Sequence, residues 1–222
     1  MDTAPEHRLS SAYKAKDDAY FGNARRDWID LLPVNHSLSV LELGCGNGAT
    51  GALALSEGKC GSYIGVEMSE RAADQARAVL TRVHIGNIEA MELPYKDDSF
   101  DLLVCGEVLE HLVNPQEALK QLVRLLKPGG RMFASVPNVS HWRVIAGLIL
   151  GRFDYTDWGM MDRTHLRWFT PRTFRDLIEA AGVEVDLIAP IARSPFRRAI
   201  GSLPLGHLTW LQIDMHGHKA TR

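Results

Sequence analysis

The chain has 222 residues, a length that suits one domain able to bury a proper core. It is 45% hydrophobic and 23% charged, with a formal net charge of −2, a balance that argues against the strongly basic profile of a general nucleic-acid binder. Its longest apolar run, "VIAGLILG" from Val144, falls well short of the ~20 residues of a bilayer span. The first residues lack the apolar stretch of a secretory leader, so a cytoplasmic protein is expected.

Strand-like and helix-like runs alternate along the chain, which predicts a parallel sheet covered by helices. "LSVLEL" (Leu38 to Leu43) reads as a buried strand, and "ATGALALSEG" follows as a helix stopped by Gly58. "SYIGVEM" is a second strand, after which Ser69 can cap the helix "ERAADQARAVL". "RVHIG" is a short third strand and "FDLLVCG" a fourth. "PQEALKQLVRLLKPGG" carries helical spacing and a Pro-Gly-Gly stop, and "RMFASVP" is the fifth strand. From Asn138 to Phe169 the rhythm gives way to aromatic, basic and histidine positions, as a lid or recognition insertion would. "TPRTFRDLIEAAG" resumes as a helix capped by Thr170 with Pro171 in its first turn. "VEVDLIA" reads as a sixth strand, and "LTWLQIDMH" as a seventh, placed at the edge.

The stretch "VLELGCGNGATG" concentrates glycines after the first strand. Such a loop is costly in chain entropy unless something must approach its backbone closely. Gly46, Gly48 and Gly51 satisfy G-x-G-x-x-G, and Glu67 follows at the interval where an acid would bind ribose hydroxyls, so a dinucleotide oxidoreductase is one reading. The other is a loop shaped for the amino-acid and ribose portions of S-adenosylmethionine.

Beyond the loop, Glu42-x-Gly44-x-Gly46-x-Gly48 resembles the first motif of class I S-adenosylmethionine-dependent methyltransferases. "GNIEAMELPYKDDSFDLLVCGEVLEHLVNPQEALKQLVRLLKPGG" resembles the central block of their small-molecule branch, and the likeness runs from about Leu38 to Ala189. The resemblance implies an α/β fold: a Rossmann-like, doubly wound, seven-stranded, mostly parallel sheet with a helical lid insertion. It implies one domain, with an N-terminal helical cap over 1–35, a cofactor core over 36–137, a lid over 138–169, and a C-terminal helix, edge strands and basic tail over 170–222.

By the same resemblance, Gly44, Cys45, Gly46 and Gly48 should line the donor, and Glu42 should meet the methionine amine or order the loop. Glu67 and Met68 should flank the ribose, and Asn87 and Ile88 the adenine, with Asn87 standing where relatives place Asp. A turn role is the plain alternative for Asn87. Glu107, four residues before His111, is expected on the same helix face and beside the donor, with Glu110 pointing elsewhere. Tyr20 and Arg25, in a leading helical segment, are candidates for the methionine carboxylate; a packing helix with solvated arginines is the alternative.

Methyl transfer is an in-line displacement that mainly needs a close, aligned, desolvated nucleophile. A hydroxyl acceptor gains further from a base. His165 is the first candidate, with Asp162 orienting it, and His111 is a second; structural hydrogen bonding is the alternative for each. Asn138, His141, Arg163 and Trp168 are candidates for substrate contact, Arg163 for an anionic group. The "SVPN…HWR…GRF…DRTHLRWFT" arrangement resembles methyltransferases of bacterial cell-surface glycan assembly. It also resembles a methyltransferase-like protein of methionine biosynthesis that partners an acyltransferase and, more distantly, ubiquinone O-methyltransferases. The first likeness implies O-methylation of a sugar, or of a nucleotide- or lipid-linked sugar; the second implies a non-catalytic partner subunit.

Cys45, Cys60 and Cys105 show no paired spacing and read as free thiols. His216 and His218 in "HGHK" read as a terminal tail without companion ligands, so no metal is expected. "ARSPFRRAIGSLPLG" carries three arginines and no acid, which fits a surface segment or, at most, peripheral contact with an anionic membrane.

Overall fold

The computed structural model describes residues 22–191 and 205–221. Tyr20 and nearly all of the basic tail lie outside the described residues. The elements in chain order are α1 (Arg26–Ile29), β1 (Ser39–Leu43), α2 (Ala49–Ser56), β2 (Ser62–Glu67), α3 (Glu70–Arg77), β3 (Arg82–Ile85) and β4 (Phe100–Gly106). A 3-10 turn over Leu109–His111 precedes α4 (Pro115–Leu125), β5 (Leu126–Pro137), α5 (Trp142–Ile149), α6 (Pro171–Ala180) and β6 (Val183–Pro190). A second 3-10 turn, Gly206–Thr209, leads into β7 (Gln212–Lys219).

The strands form one seven-stranded sheet in the order β3-β2-β1-β4-β5-β7-β6. β2 runs parallel to both β1 and β3, whereas β7 runs antiparallel to both β5 and β6. The expected edge position of "LTWLQIDMH" is therefore corrected: β7 lies inside the sheet and β6 takes the edge. The reason is visible in burial. Ile213, Asp214 and Met215 are successive and all buried, the signature of a strand covered on both faces, whereas in β6 only Val183 is buried. The same strand takes up His216 and His218, so "HGHK" is sheet and not tail.

Contacts within the chain group into two compact units. The first holds the described residues up to Val104 together with Arg124–Gly130. Its core joins Val40, Leu41 and Leu43 of β1 to Tyr63 and Val66 of β2 and the small-residue face Ala72, Ala73 and Ala76 of α3. Ser69 caps α3 by accepting from the Ala72 amide, as expected. Gly51 lets α2 approach β2: a Cβ there would meet Leu80 Cδ2 at 2.3 Å and the Tyr63 ring at 2.5 Å.

The second unit holds Cys105–Val123 and the described residues from Arg131 onward. Met132, Phe133 and Ala134 of β5, Phe174 and Ile178 of α6, and Ile213 and Met215 of β7 are buried within it. α6 starts at Pro171 as anticipated, and Thr170 and Thr173 form a reciprocal capping box. The insertion after β5 leaves and returns at one point, because Asn138 bridges Phe169 and the Val139 amide donates to the Phe169 carbonyl over 2.9 Å. Only its first part is helical, as α5.

Among the described residues no helix is long and apolar enough to cross a membrane. Cys45, Cys60 and Cys105 are free and buried, and burial pushes the Cys60 thiol up to about 11, too high for a ready thiolate.

Candidate functional site

The glycine loop belongs to the first unit. Gly44, Gly46 and Gly48 all have positive φ, at 71°, 55° and 84°. Three left-handed positions alternating with Cys45 and Asn47 fold the chain back over the end of β2, where the Gly44 and Cys45 amides both donate to the Val66 carbonyl, at 2.8 and 3.2 Å. A side chain at these positions would strain the turn. At Gly48 it would also meet Val79 Cγ2 at 2.9 Å and the Ala76 backbone at 3.1 Å.

Glu67, at the end of β2, is buried and spans the turn. Its Oε2 accepts from the Gly46 amide at 2.9 Å, and its Oε1 accepts from the Ser69 amide at 2.8 Å. Burial raises its carboxyl above the ordinary range, opposed by these backbone donors. The Met68 amide also acts on this carboxylate, which offers about four acceptor sites in all and so both fixes the loop and retains acceptor capacity.

Glu42 lies in β1, is buried, and accepts the Tyr63 hydroxyl at 3.0 Å. Burial pushes it up to about 8, against the pull of the Tyr63 hydrogen bond and the Arg25 charge, while the Glu67 charge adds to the rise. Arg25 sits near enough to act on Glu42, but its guanidinium grips Asp27 through Nε at 3.0 Å and Nη2 at 2.8 Å and lies 3.3 Å over the Trp28 ring. Its backbone amide donates to Thr50 Oγ1 at 3.2 Å, which ties the leading segment to α2. Arg25, a candidate for the methionine carboxylate, thus already pairs with one carboxylate of the chain.

Asn87 follows β3 and accepts the Glu89 amide at 3.0 Å, so its side-chain oxygen builds a turn. Ile88 beside it is buried. Met68 is half-buried next to Glu67.

The second unit holds a different arrangement. Glu107 and His111 do not share an α-helical face: Glu107 is left-handed, at φ 51°, and only Leu109–His111 form a 3-10 turn. Glu110, expected to point away, is the inward residue and is 1% exposed. Its Oε1 faces His111 Nε2 at 4.0 Å and His165 Nε2 at 3.9 Å. Its own carbonyl accepts the Leu166 and Arg167 amides at 2.7 and 2.9 Å, so the same residue anchors the end of the insertion. Burial raises the Glu110 carboxyl well above its ordinary range, and the charges of Glu107 and Asp162 raise it further.

The two imidazoles are both buried and pack edge to face, with ring centroids 4.8 Å apart. His111 Nδ1 lies 3.1 Å from the Thr164 carbonyl, and His165 Nδ1 lies 3.0 Å from the Met160 carbonyl. A carbonyl only accepts, so each Nδ1 carries a proton and Nε2 is the ring nitrogen that faces Glu110.

Asp162 was expected to orient His165 directly. Its Oδ1 instead accepts the Thr164 amide at 2.9 Å and the Thr164 hydroxyl at 2.8 Å, shaping the turn that presents the Met160 and Thr164 carbonyls. His165 also packs against Trp168, which joins Phe153 and Tyr155 in a half-exposed aromatic cluster.

Two candidates for substrate contact make hydrogen bonds within the protein. Asn138 is fully engaged: its Nδ2 donates to the His207 and Trp210 carbonyls, and its Oδ1 accepts the Ser140 amide and hydroxyl. It fastens the end of β5 to the segment before β7. His141 caps α5 by accepting the Arg143 amide at 3.3 Å, and burial, then the Arg143 charge, lowers its basicity. Arg163 is exposed and pairs with Asp157 at 3.0 Å.

The fold separates the two cofactor readings. A dinucleotide fold of the 3-2-1-4-5-6 type ends in a further parallel strand, whereas this sheet ends in an antiparallel β6–β7 pair with β7 inserted beside β5. Sheet order, glycine loop and strand-end acid together define a class I, S-adenosylmethionine-dependent methyltransferase fold. The model of the methyltransferase-domain family matches residues 16–188, and the chain belongs to that family.

The chain is 31% identical over 186 residues to an uncharacterised 37.1 kDa protein of transposon TN4556 from Streptomyces fradiae, covering 77% of this chain and 50% of that one. It is 30% identical over 130 residues to a demethylmenaquinone methyltransferase of Listeria monocytogenes, covering 54% and 55%. With a 27-O-demethylrifamycin SV methyltransferase of Amycolatopsis mediterranei it shares 35% identity over 118 residues, covering 49% and 43%. The chain thus spans about half the length of the curated relatives it matches.

Among solved structures, the fold resembles the methyltransferase in a complex with the Haloferax volcanii Trm112 activator, at TM-score 0.68 and 19% identity, covering 96% and 97%. It also resembles an S-adenosylmethionine-dependent methyltransferase of Mesorhizobium loti, at TM-score 0.65 and 17% identity, covering 89% and 99%.

Proposed function

We propose that the protein transfers the methyl group of S-adenosylmethionine to an oxygen of a small molecule, with a sugar or sugar-linked acceptor as the leading class. The observation that carries the donor assignment is the left-handed Gly44-Gly46-Gly48 turn held by Glu67. Three glycines without Cβ atoms let a ligand approach the backbone closely, and the remaining acceptor capacity of Glu67 suits a ribose diol, a charge-assisted and orienting contact. Glu42, close to the loop and easily ionised by a nearby cation, suits the methionine amine. Met68, Asn87 and Ile88 follow β2 and β3 and line the nucleoside in this reading, and Cys45 packs beneath the turn.

Oxygen as the acceptor atom is supported by the relative whose substrate is a 27-O-demethylated rifamycin. The aromatic cluster of Phe153, Tyr155 and Trp168 suits stacking on the apolar face of a ring, and Arg163 suits an anionic substituent. In this reading the segment 36–137 serves the donor and the insertion over 138–169 serves the acceptor.

The test is transfer of a labelled methyl group from S-adenosylmethionine to a panel of sugars, sugar nucleotides and phenols, read by mass spectrometry. Label appearing on a sugar hydroxyl is the expected result. Label on nitrogen or carbon acceptors alone would overturn the acceptor class. Binding of NADH in a fluorescence titration, with no donor binding, would overturn the reading altogether.

A further inference from the structure

We propose that Glu110, His111 and His165 form a binding site for one divalent first-row transition-metal ion. The ligand atoms of the three side chains all lie within 4.8 Å of one another, and all three residues are buried. Glu110 and His111 are neighbours in the 3-10 turn before α4, whereas His165 comes from the end of the insertion, so chain proximity does not explain how the third ligand joins them.

Three features point to a cation. First, both oxygens of the Glu110 carboxyl lack a hydrogen-bond partner among the described residues, although the residue is 1% exposed. Beyond its own backbone amide, no group among the described residues is a donor to this buried acid; such an acid is costly, and an ion is one of the few things that would satisfy it. Second, each histidine uses Nδ1–H on a backbone carbonyl, the outer-shell arrangement that fixes the tautomer and turns Nε2 into a ligand. Third, the Nε2-to-carboxylate separations of 4.0 and 3.9 Å are too long for hydrogen bonds. Ligands about 2.0–2.1 Å from a shared tetrahedral ion sit roughly 3.3–3.4 Å apart, so side-chain movements of about half an ångström close the site.

Two imidazoles and a carboxylate suit zinc-like ions better than magnesium or calcium. Three protein ligands also leave a coordination position open, the pattern of reactive rather than purely structural sites. Use of that position to polarise an acceptor oxygen rests on the methyl-transfer reading; binding of the ion does not. Asp162 is a positioning residue here, since it shapes the turn whose Met160 and Thr164 carbonyls hold the two rings.

Cobalt(II) is the probe, titrated into the full chain stripped with chelator, in the absence of donor and acceptor, and followed by its visible absorption. Zinc is then used to displace it. One equivalent per chain is expected, with Glu110→Gln and His165→Ala each weakening binding at least about 100-fold and Asp162→Asn weakening it about 10–100-fold at unchanged stoichiometry. Circular dichroism of each variant reports folding, and the near-isosteric Glu110→Gln keeps the test valid if His165→Ala unfolds. Absence of stoichiometric binding, or unchanged affinity in Glu110→Gln, would overturn the site. Binding lost only on replacing His216 and His218 would assign the ion elsewhere and overturn it as well. Displacement of cobalt by an about tenfold excess of magnesium would overturn the class of metal.

Discussion

Replacing Glu42 by Gln should remove a large pH dependence of stability. The carboxyl is buried in β1 and is pushed up from an ordinary 4.5 to about 8. An acid whose folded value is raised holds its proton in the native state over a range where the unfolded chain has released it. Its contribution is therefore complete below pH 4.5 and is lost as pH rises toward 8. A displacement of that size corresponds to about 5 kcal/mol across the window. Gln cannot ionise, yet its side-chain oxygen can still accept the Tyr63 hydroxyl, so packing and hydrogen bonding are kept. Urea denaturation at half-unit steps from pH 5 to 8, without ligand, measures the difference between wild type and variant. The two should be within about 1 kcal/mol at pH 5, and the variant should be more stable by about 4 kcal/mol at pH 8. A difference that stays constant over this range would refute the claim that Glu42 is buried and protonated.

Gly51→Ala should cost at least about 1–3 kcal/mol in chemical denaturation, because its Cβ has nowhere to go between Leu80 and Tyr63; a neutral result would mean that α2 can lift from β2 freely. Thr170→Ala should lose about 1 kcal/mol with the capping box of α6, read by thermal melting, and Thr170→Ser should recover most of it. Asn138→Ala removes four hydrogen bonds at the root of the insertion and should cost about 2–4 kcal/mol. Its donor affinity should stay unchanged if Asn138 is a fastening rather than a ligand-binding residue, and a selective loss of substrate binding at full stability would restore the discarded role.

Local patterns in the sequence carried much of the architecture. The strand "FDLLVCG" and the caps Ser69 and Thr170 depend on neighbours a few residues away, and each is where the pattern puts it, whereas the expected Pro-Gly-Gly stop lies inside β5, which begins directly after α4. The position of β7 was not local. Its pairing partners, β5 and β6, are chosen by which faces remain uncovered, and "LTWLQIDMH" alone carries no such information. The loop glycines were legible because positive φ leaves a compositional trace.

The histidine cluster was not. Helical spacing paired Glu107 with His111, but a left-handed Glu107 breaks the helix and turns Glu110 inward instead. His165 reaches Glu110 only after the insertion returns to the end of β5, a closure made by the Asn138–Phe169 bridge. The structural duties of polar residues were not legible either: Asn138, His141 and Arg25 look like ligand-binding groups in sequence, and each makes hydrogen bonds within the protein. The segment "EVLEHL" does carry a trace of the cluster, since two acids and a histidine stand unusually close for a stretch that ends up buried.

The claim on which the functional account stands is that the glycine turn and Glu67 hold a sulfonium nucleoside. Calorimetric titration with S-adenosylhomocysteine measures it directly. One site per chain is predicted, weakened at least about tenfold by Glu67→Ala, which removes both the ribose acceptor and the Gly46 anchor. No detectable heat with the wild-type chain, or equal affinity in the variant, would contradict it.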